Sequence, residues 1–94
     1  MTRIGINGFG RIGRLVVRGL AGHPDLELVH VNDPKADAAT AAHLLEFDTV
    51  HGRYAGTVDH DDDSMTIDGV RATTSMHDTP GNVPWADLGV DIVL

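Results

Sequence analysis

Ninety-four residues suffice for one small domain, and 14 acidic against seven basic side chains leave a net charge of -7, the wrong sign for a nucleic-acid surface. The absence of cysteine removes both a disulfide framework and a thiol nucleophile from this stretch. No apolar run approaches the length of a membrane span and the chain opens on a strand-like pattern rather than a signal sequence, so a cytoplasmic protein with no membrane partner is expected.

Arg3 to Asn7 carries Ile4 and Ile6 around Gly5, the pattern of a short buried parallel strand. Gly8, Gly10 and Gly13 follow in G-x-G-x-x-G spacing. Each glycine has its own physical use there: a tight turn at the first, close approach of a pyrophosphate at the second, close helix-to-strand packing at the third. Alone, three such glycines are a weak signature. The helix that follows has Ile12, Leu15, Val16 and Leu20 on one apolar face, with Gly22 and Pro24 as its stop. Arg14 and Arg18 fall away from that stripe and are expected to face solvent, whereas Arg11 sits where its backbone N–H can meet a phosphate.

Leu26 to Asn32 is a second strand, and a right-handed crossover makes it parallel to the first, so both strands end along one edge. Asp33 lies twenty residues past Gly13, where a carboxylate can accept hydrogen bonds from adenosine ribose hydroxyls. With Asp33 at that distance the glycine pattern becomes a strong dinucleotide signature. Asp37 is the expected N-cap of a helix from about Ala38 to Phe47, and Asp48 to Tyr54 reads as a connection whose His51 and Arg53 are exposed loop residues.

Thr57 to His60, Ser64 to Ile67 and Val70 to Ser75 are three short strands, separated by the acidic turn Asp61-Asp62-Asp63 and by the hairpin dipeptide Asp68-Gly69. Their turns make them antiparallel, an appendage on the parallel sheet. His60 to Asp63 lacks the spacing of a calcium loop and is read as a solvated turn, with no metal site. Pro84 should start a short helix through Leu88, stopped by Gly89, and Asp91 to Leu94 begins the next strand. The class is therefore α/β: the first half of a doubly wound, Rossmann-type parallel sheet with an antiparallel hairpin insertion. Residues 1–94 are read as an incomplete dinucleotide-binding domain, a fragment whose catalytic domain lies elsewhere.

Ile4 to Arg14, Val31 to Asp33, His43 to Tyr54, and Pro84-Trp85 before Gly89 to Val93 together resemble the amino-terminal part of phosphorylating glyceraldehyde-3-phosphate dehydrogenases, and the resemblance runs through the whole chain. It implies NAD as cofactor, a triose phosphate oxidised to an acyl phosphate with inorganic phosphate, and a homotetramer. It also implies a catalytic cysteine and histidine base beyond these residues, so no catalytic residue is assigned here. Position by position, it makes the backbone of Arg11 and Ile12 the pyrophosphate contact and Asp33 the adenosine-ribose acceptor. Asn7, Gly8, Phe9 and Gly10 form the turn that admits the cofactor, and Gly13 is counted with them among the cofactor-binding residues. The main chain of His77, where the family more often has arginine, becomes the adenine contact. An acidic Asp33 favours NAD over NADP, with Lys35 nearby acting against that preference. Asn32 to Pro34 and Asp37 to Asp48 look more like the branch that uses arsenate in place of phosphate. An erythrose-4-phosphate dehydrogenase and a non-catalytic nucleotide-binding module are the other readings.

Overall fold

The structure, a computed structural model, describes residues 2–20, 23, 25–48, 52, 53 and 56–94, and of Arg11, Ile12, Asp48, Arg53 and Pro80 the backbone alone. The expected helix stop at Gly22 and Pro24, and His51 and Tyr54 of the expected connection, lie outside the described residues.

Strand β1 (Thr2–Asn7) leads through the glycine turn to helix α1 (Arg11–Leu20), and β2 (Leu26–Asn32) returns parallel to β1. Asp37 caps α2 (Ala38–Glu46) as expected: its carboxylate accepts the Thr40 N–H at 2.8 Å, which also lowers the Asp37 pKa. Then come β3 (Phe47–Asp48), β4 (Gly52–Arg53), β5 (Val58–His60), β6 (Ser64–Ile67), β7 (Val70–Ser75), a 3-10 turn at Pro80–Asn82, and β8 (Ile92–Val93). Where a plain connection is expected after α2, β3 and β4 pair as a two-stranded antiparallel ribbon.

The main sheet has the order β5-β6-β7-β2-β1-β8. The Asp68-Gly69 turn has φ of 52° and 83°, the paired positive values a two-residue hairpin needs, and it joins β6 and β7 antiparallel. The hairpin is not an appendage, because β7 also pairs parallel with β2, His30 opposite Thr73 and Asn32 opposite Ser75. A strand with one antiparallel and one parallel neighbour is part of the sheet itself.

One face of the sheet holds the core: Ile4, Ile6, Leu28, Val31, Met65 and Ala72 pack with Phe9, Val17, Ala41, Ala42 and Leu45. In α1 the buried stripe is not the expected one. Leu15 is 49% exposed, whereas Val17 is buried and Val16 and Leu20 flank it. Gly13 fixes the rotation of the helix: a Cβ there would collide with the Gly8 carbonyl oxygen and stand 3.3 Å from Ile6 Cγ2, so this side must face the strand. Gly13, Val16, Val17 and Leu20 then form the inward stripe at helical spacing.

Arg14 and Arg18 are half-buried rather than solvated. Arg14 Nη1 donates to the Phe9 carbonyl at 3.0 Å, and Arg18 Nη2 donates to the Leu45 carbonyl at 2.9 Å, a cation at the C-terminal end of α2.

The second face of the sheet is polar. The register steps from Ile4 opposite Leu28 to Gly5 opposite His30, leaving Val29 as a bulge residue in β2. Beyond the bulge, His30 and Asn32 share this face with Gly5. Trp85 covers it: a Cβ on Gly5 would lie 2.8 Å from the indole, and His30 meets the indole edge-on at 5.5 Å between ring centres. The segment carrying Trp85 is a single turn instead of the expected Pro84–Leu88 helix. Gly89, at φ 75°, closes it by donating to Ala86 O, while Val90 N–H reaches Trp85 O, the pairing that ends a helix at the first opportunity.

Candidate functional site

β1 and β2 end side by side, with Asn7 opposite Asn32, and the glycine turn rises from that edge. Gly8 takes φ of 97° and donates its N–H to Asn32 O at 2.7 Å, a tight turn of the kind expected from the first glycine. Gly13 makes the close helix-to-strand approach expected from the third. Gly10 differs from both. Its φ lies outside the left-handed region, and a Cβ there would meet nothing within 4 Å. Neither backbone conformation nor packing asks for glycine at this position, and the open space stands in front of the α1 N-terminus. The first hydrogen bond into α1 is Arg14 N–H to Gly10 O, at 3.0 Å. The N–H groups of Arg11, Ile12 and Gly13 therefore stand ahead of the helix ladder, at its positive end.

Phe9 holds the turn down. Its ring is buried in the core, its carbonyl receives Arg14, and its N–H donates to Asp33 Oδ2 at 2.7 Å. Asp33 thus serves twice. Oδ1 accepts the Lys35 N–H at 2.8 Å to close a turn around Pro34, while Oδ2 ties the end of β2 to the glycine turn. A carboxylate has about four acceptor positions, so both oxygens retain capacity toward a ligand hydroxyl. Beneath the turn lies a cavity of about 130 Å³ lined by Ile6, Asn7, Gly8, Gly13, Val16 and Leu94.

His77 enters through its main chain. The fully buried Asn32 amide accepts the His77 N–H on Oδ1 at 2.9 Å and donates from Nδ2 to His77 O and to Asn7 Oδ1, each at 3.0 Å. The His77 N–H is engaged inside the protein, and its carbonyl keeps one lone pair beyond the bond from Asn32 Nδ2. The imidazole of His77 is exposed.

Sequence reasoning missed the group that supports this arrangement. His30, 3% exposed, sits between two hydroxyls: Nδ1 is 2.6 Å from Thr73 Oγ1 and Nε2 is 2.7 Å from Ser75 Oγ, which donates to Asn32 Oδ1 at 2.7 Å. Burial, and then the charge of His77, lowers the His30 pKa below its usual value. The available signal was parity. His30 and Asn32 alternate in one strand, Thr73 and Ser75 in another, and parallel pairing puts all four on one face.

These residues fit a nucleoside diphosphate: a glycine that leaves room, helix N–H groups for the pyrophosphate, and a carboxylate at the neighbouring strand end for the ribose. Comparison with known proteins agrees. Residues 2–94 match the family model described as "Glyceraldehyde 3-phosphate dehydrogenase, NAD binding domain". The chain is 50% identical over 93 residues to glyceraldehyde-3-phosphate dehydrogenase 3 of Nostoc sp., covering 99% of this chain and 28% of that protein. It is 49% identical over 94 residues to glyceraldehyde-3-phosphate dehydrogenase 1 of Saccharomyces cerevisiae, covering 100% of this chain and 28% of that one. The glyceraldehyde-3-phosphate dehydrogenase of Coccidioides immitis is 43% identical over 94 residues, again with 28% of its length covered. The chain thus spans a little over a quarter of the length of these relatives.

Proposed function

The chain belongs to the NAD-binding domain family of glyceraldehyde 3-phosphate dehydrogenase, and from that premise we propose that it holds the adenosine and pyrophosphate portion of NAD for an enzyme oxidising an aldehyde phosphate to an acyl phosphate. The observation that carries this reading is Gly10, whose missing side chain the protein's own conformation and packing do not explain. A phosphate lying over the turn does explain it.

In this reading the Arg11 and Ile12 N–H groups donate to the pyrophosphate, and Asp33 accepts the ribose hydroxyls while Phe9 N–H holds its carboxylate in line. The His77 carbonyl accepts from the adenine amino group, because Asn32 already takes the His77 N–H. Asn7 and Gly8 form the floor. When bound, NAD supplies the hydride acceptor. No residue of these 94 is assigned to the bond-making step, and with no cysteine among them the thiol nucleophile belongs to the rest of the enzyme. A triose phosphate as substrate, a cytoplasmic location and a homotetramer belong to the same proposal.

The test is Gly10→Ala in the full-length protein. The added methyl has free space in the protein, so the fold should be kept, while NAD affinity measured by calorimetry should fall at least tenfold. A folded variant with unchanged affinity removes the phosphate from this turn. Assays with glyceraldehyde 3-phosphate, run once with phosphate and once with arsenate, then decide the inorganic co-substrate.

A further inference from the structure

The four polar side chains on the second face of the sheet form one chain, and hydrogen-bond accounting fixes its direction. The Asn32 amide cannot be turned over: Oδ1 faces the His77 N–H, which can only donate, and Nδ2 faces two oxygens, Asn7 Oδ1 and His77 O. The Ser75 hydroxyl lies 2.7 Å from both Asn32 Oδ1 and His30 Nε2, and it has one proton. That proton goes to the amide oxygen, which cannot donate, so Nε2 of His30 must carry a hydrogen of its own. At the other nitrogen, Thr73 Oγ1 lies 2.6 Å from Nδ1 and 3.2 Å from the Val29 carbonyl. If His30 is neutral, the Thr73 proton turns to the nearer nitrogen. If His30 is charged, Thr73 must turn to Val29 and a cation sits on a face closed by Trp85.

We propose that His30 is a positioning residue for the adenosine half of the site: as its Nε2–H tautomer it drives the Ser75 proton onto Asn32, and Asn32 sets the His77 main chain and the Asn7 side chain. The proposal rests on the cofactor reading given above for its consequence, although the chain of bonds exists without cofactor. In the proposed complex the ligand stands against the His77 carbonyl, at the Asn32 end of this chain of bonds, and limits water access to it, which disfavours the imidazolium. Binding should therefore expel a proton from His30 and weaken as the pH falls. The groups packed around His30 are neutral Thr73 and Ser75 of β7, Gly5 of β1 and the Trp85 indole. Among the described residues, the titratable side chain acting on it is His77, by like-charge repulsion.

Two variants of the full-length protein test this. Ser75→Ala removes one oxygen and cuts the chain between His30 and Asn32. In the cofactor-free protein, amide hydrogen exchange at His77 should quicken three- to tenfold, and NAD affinity should fall by a similar factor, the range for one lost buried hydrogen bond. His30→Gln keeps a donor toward Ser75 and an acceptor toward Thr73 but cannot be protonated. It should hold exchange and affinity at pH 7.5 near the parent values. Between pH 7 and 5.5 its affinity should decline less steeply than the parent's, and calorimetry in two buffers should show less proton release on NAD binding. Unchanged His77 exchange in Ser75→Ala overturns the positioning role, and so does a His30→Gln variant with the parent's pH profile. If the parent binds no NAD, the cofactor reading fails by itself, and the exchange measurement still decides whether His30 positions His77.

Discussion

Asp33 does two jobs with one carboxylate, and they can be separated by mutation. Oδ2 supports the glycine turn through Phe9 N–H, and the remaining acceptor capacity faces the proposed ribose. Asp33→Ala removes both, leaving the Phe9 N–H unpaired beneath the turn. NAD binding in the full-length protein should weaken by about 1–3 kcal/mol, the range for leaving such partners unmatched. Asp33→Asn keeps one acceptor for Phe9 but drops the charge that repels a 2′-phosphate. Its NAD affinity should fall less, and its discrimination against NADP should fall most, as read from dissociation constants for the two cofactors. Asp33 was legible in the sequence because its distance from the glycines follows from the size of a strand-helix-strand unit. His30 was not, because its meaning depends on a bulge at Val29 and on a strand more than forty residues away.

At the scale of elements, the strands of the main sheet and the cap of α2 could be read from local chemistry, whereas the β3–β4 ribbon and the rotation of α1 could not. Ile12, Leu15, Val16 and Leu20 make as good a helical stripe as Gly13, Val16, Val17 and Leu20, and a count of apolar residues prefers the first. Contact between backbones decides otherwise, since only a residue without Cβ lets α1 lie against Gly8. The Pro84–Leu88 segment failed as a helix for a related reason: its length is set by the need to lay Trp85 over Gly5 and His30. Gly13 and Gly10 should therefore respond oppositely to the same substitution. Gly13→Ala presses a methyl onto backbone that cannot swing aside, and a shift of α1 would disturb Val17 and Phe9 in the core. Overpacking of this kind costs about 1–3 kcal/mol, so denaturant unfolding should show a clear loss of stability with Gly13→Ala and almost none with Gly10→Ala. Equal losses would mean that the glycine turn is not divided into a packing position and a ligand position.

For the whole molecule, the two faces of the sheet impose different demands on pH. The core face is apolar and indifferent to protons. The second face holds His30, whose pKa is lowered by burial first and by His77 second, so the folded state refuses a proton that the unfolded chain accepts near pH 6.5. Stability from this group is complete above pH 6.5. It falls as the pH drops below that value, where the unfolded state binds more protons, and levels off once the folded pKa is passed. A second loss belongs to the carboxylates. Asp37 is lowered by the Thr40 N–H it caps and Asp61 by its hydrogen bonds to Ser64 and Asp63, so their contributions are present above about pH 3.8 and vanish as the pH falls through their folded values. Both carboxylates are exposed and screened, so the step nearer neutrality should be the larger. Thermal unfolding midpoints of the full-length protein, taken from about pH 8 to about pH 2, should first decline as the pH drops below about 6.5. His30→Gln should flatten that decline and leave the lower one in place. If His30→Gln reproduces the parent's midpoints throughout, the buried imidazole is not what links this fold to acid.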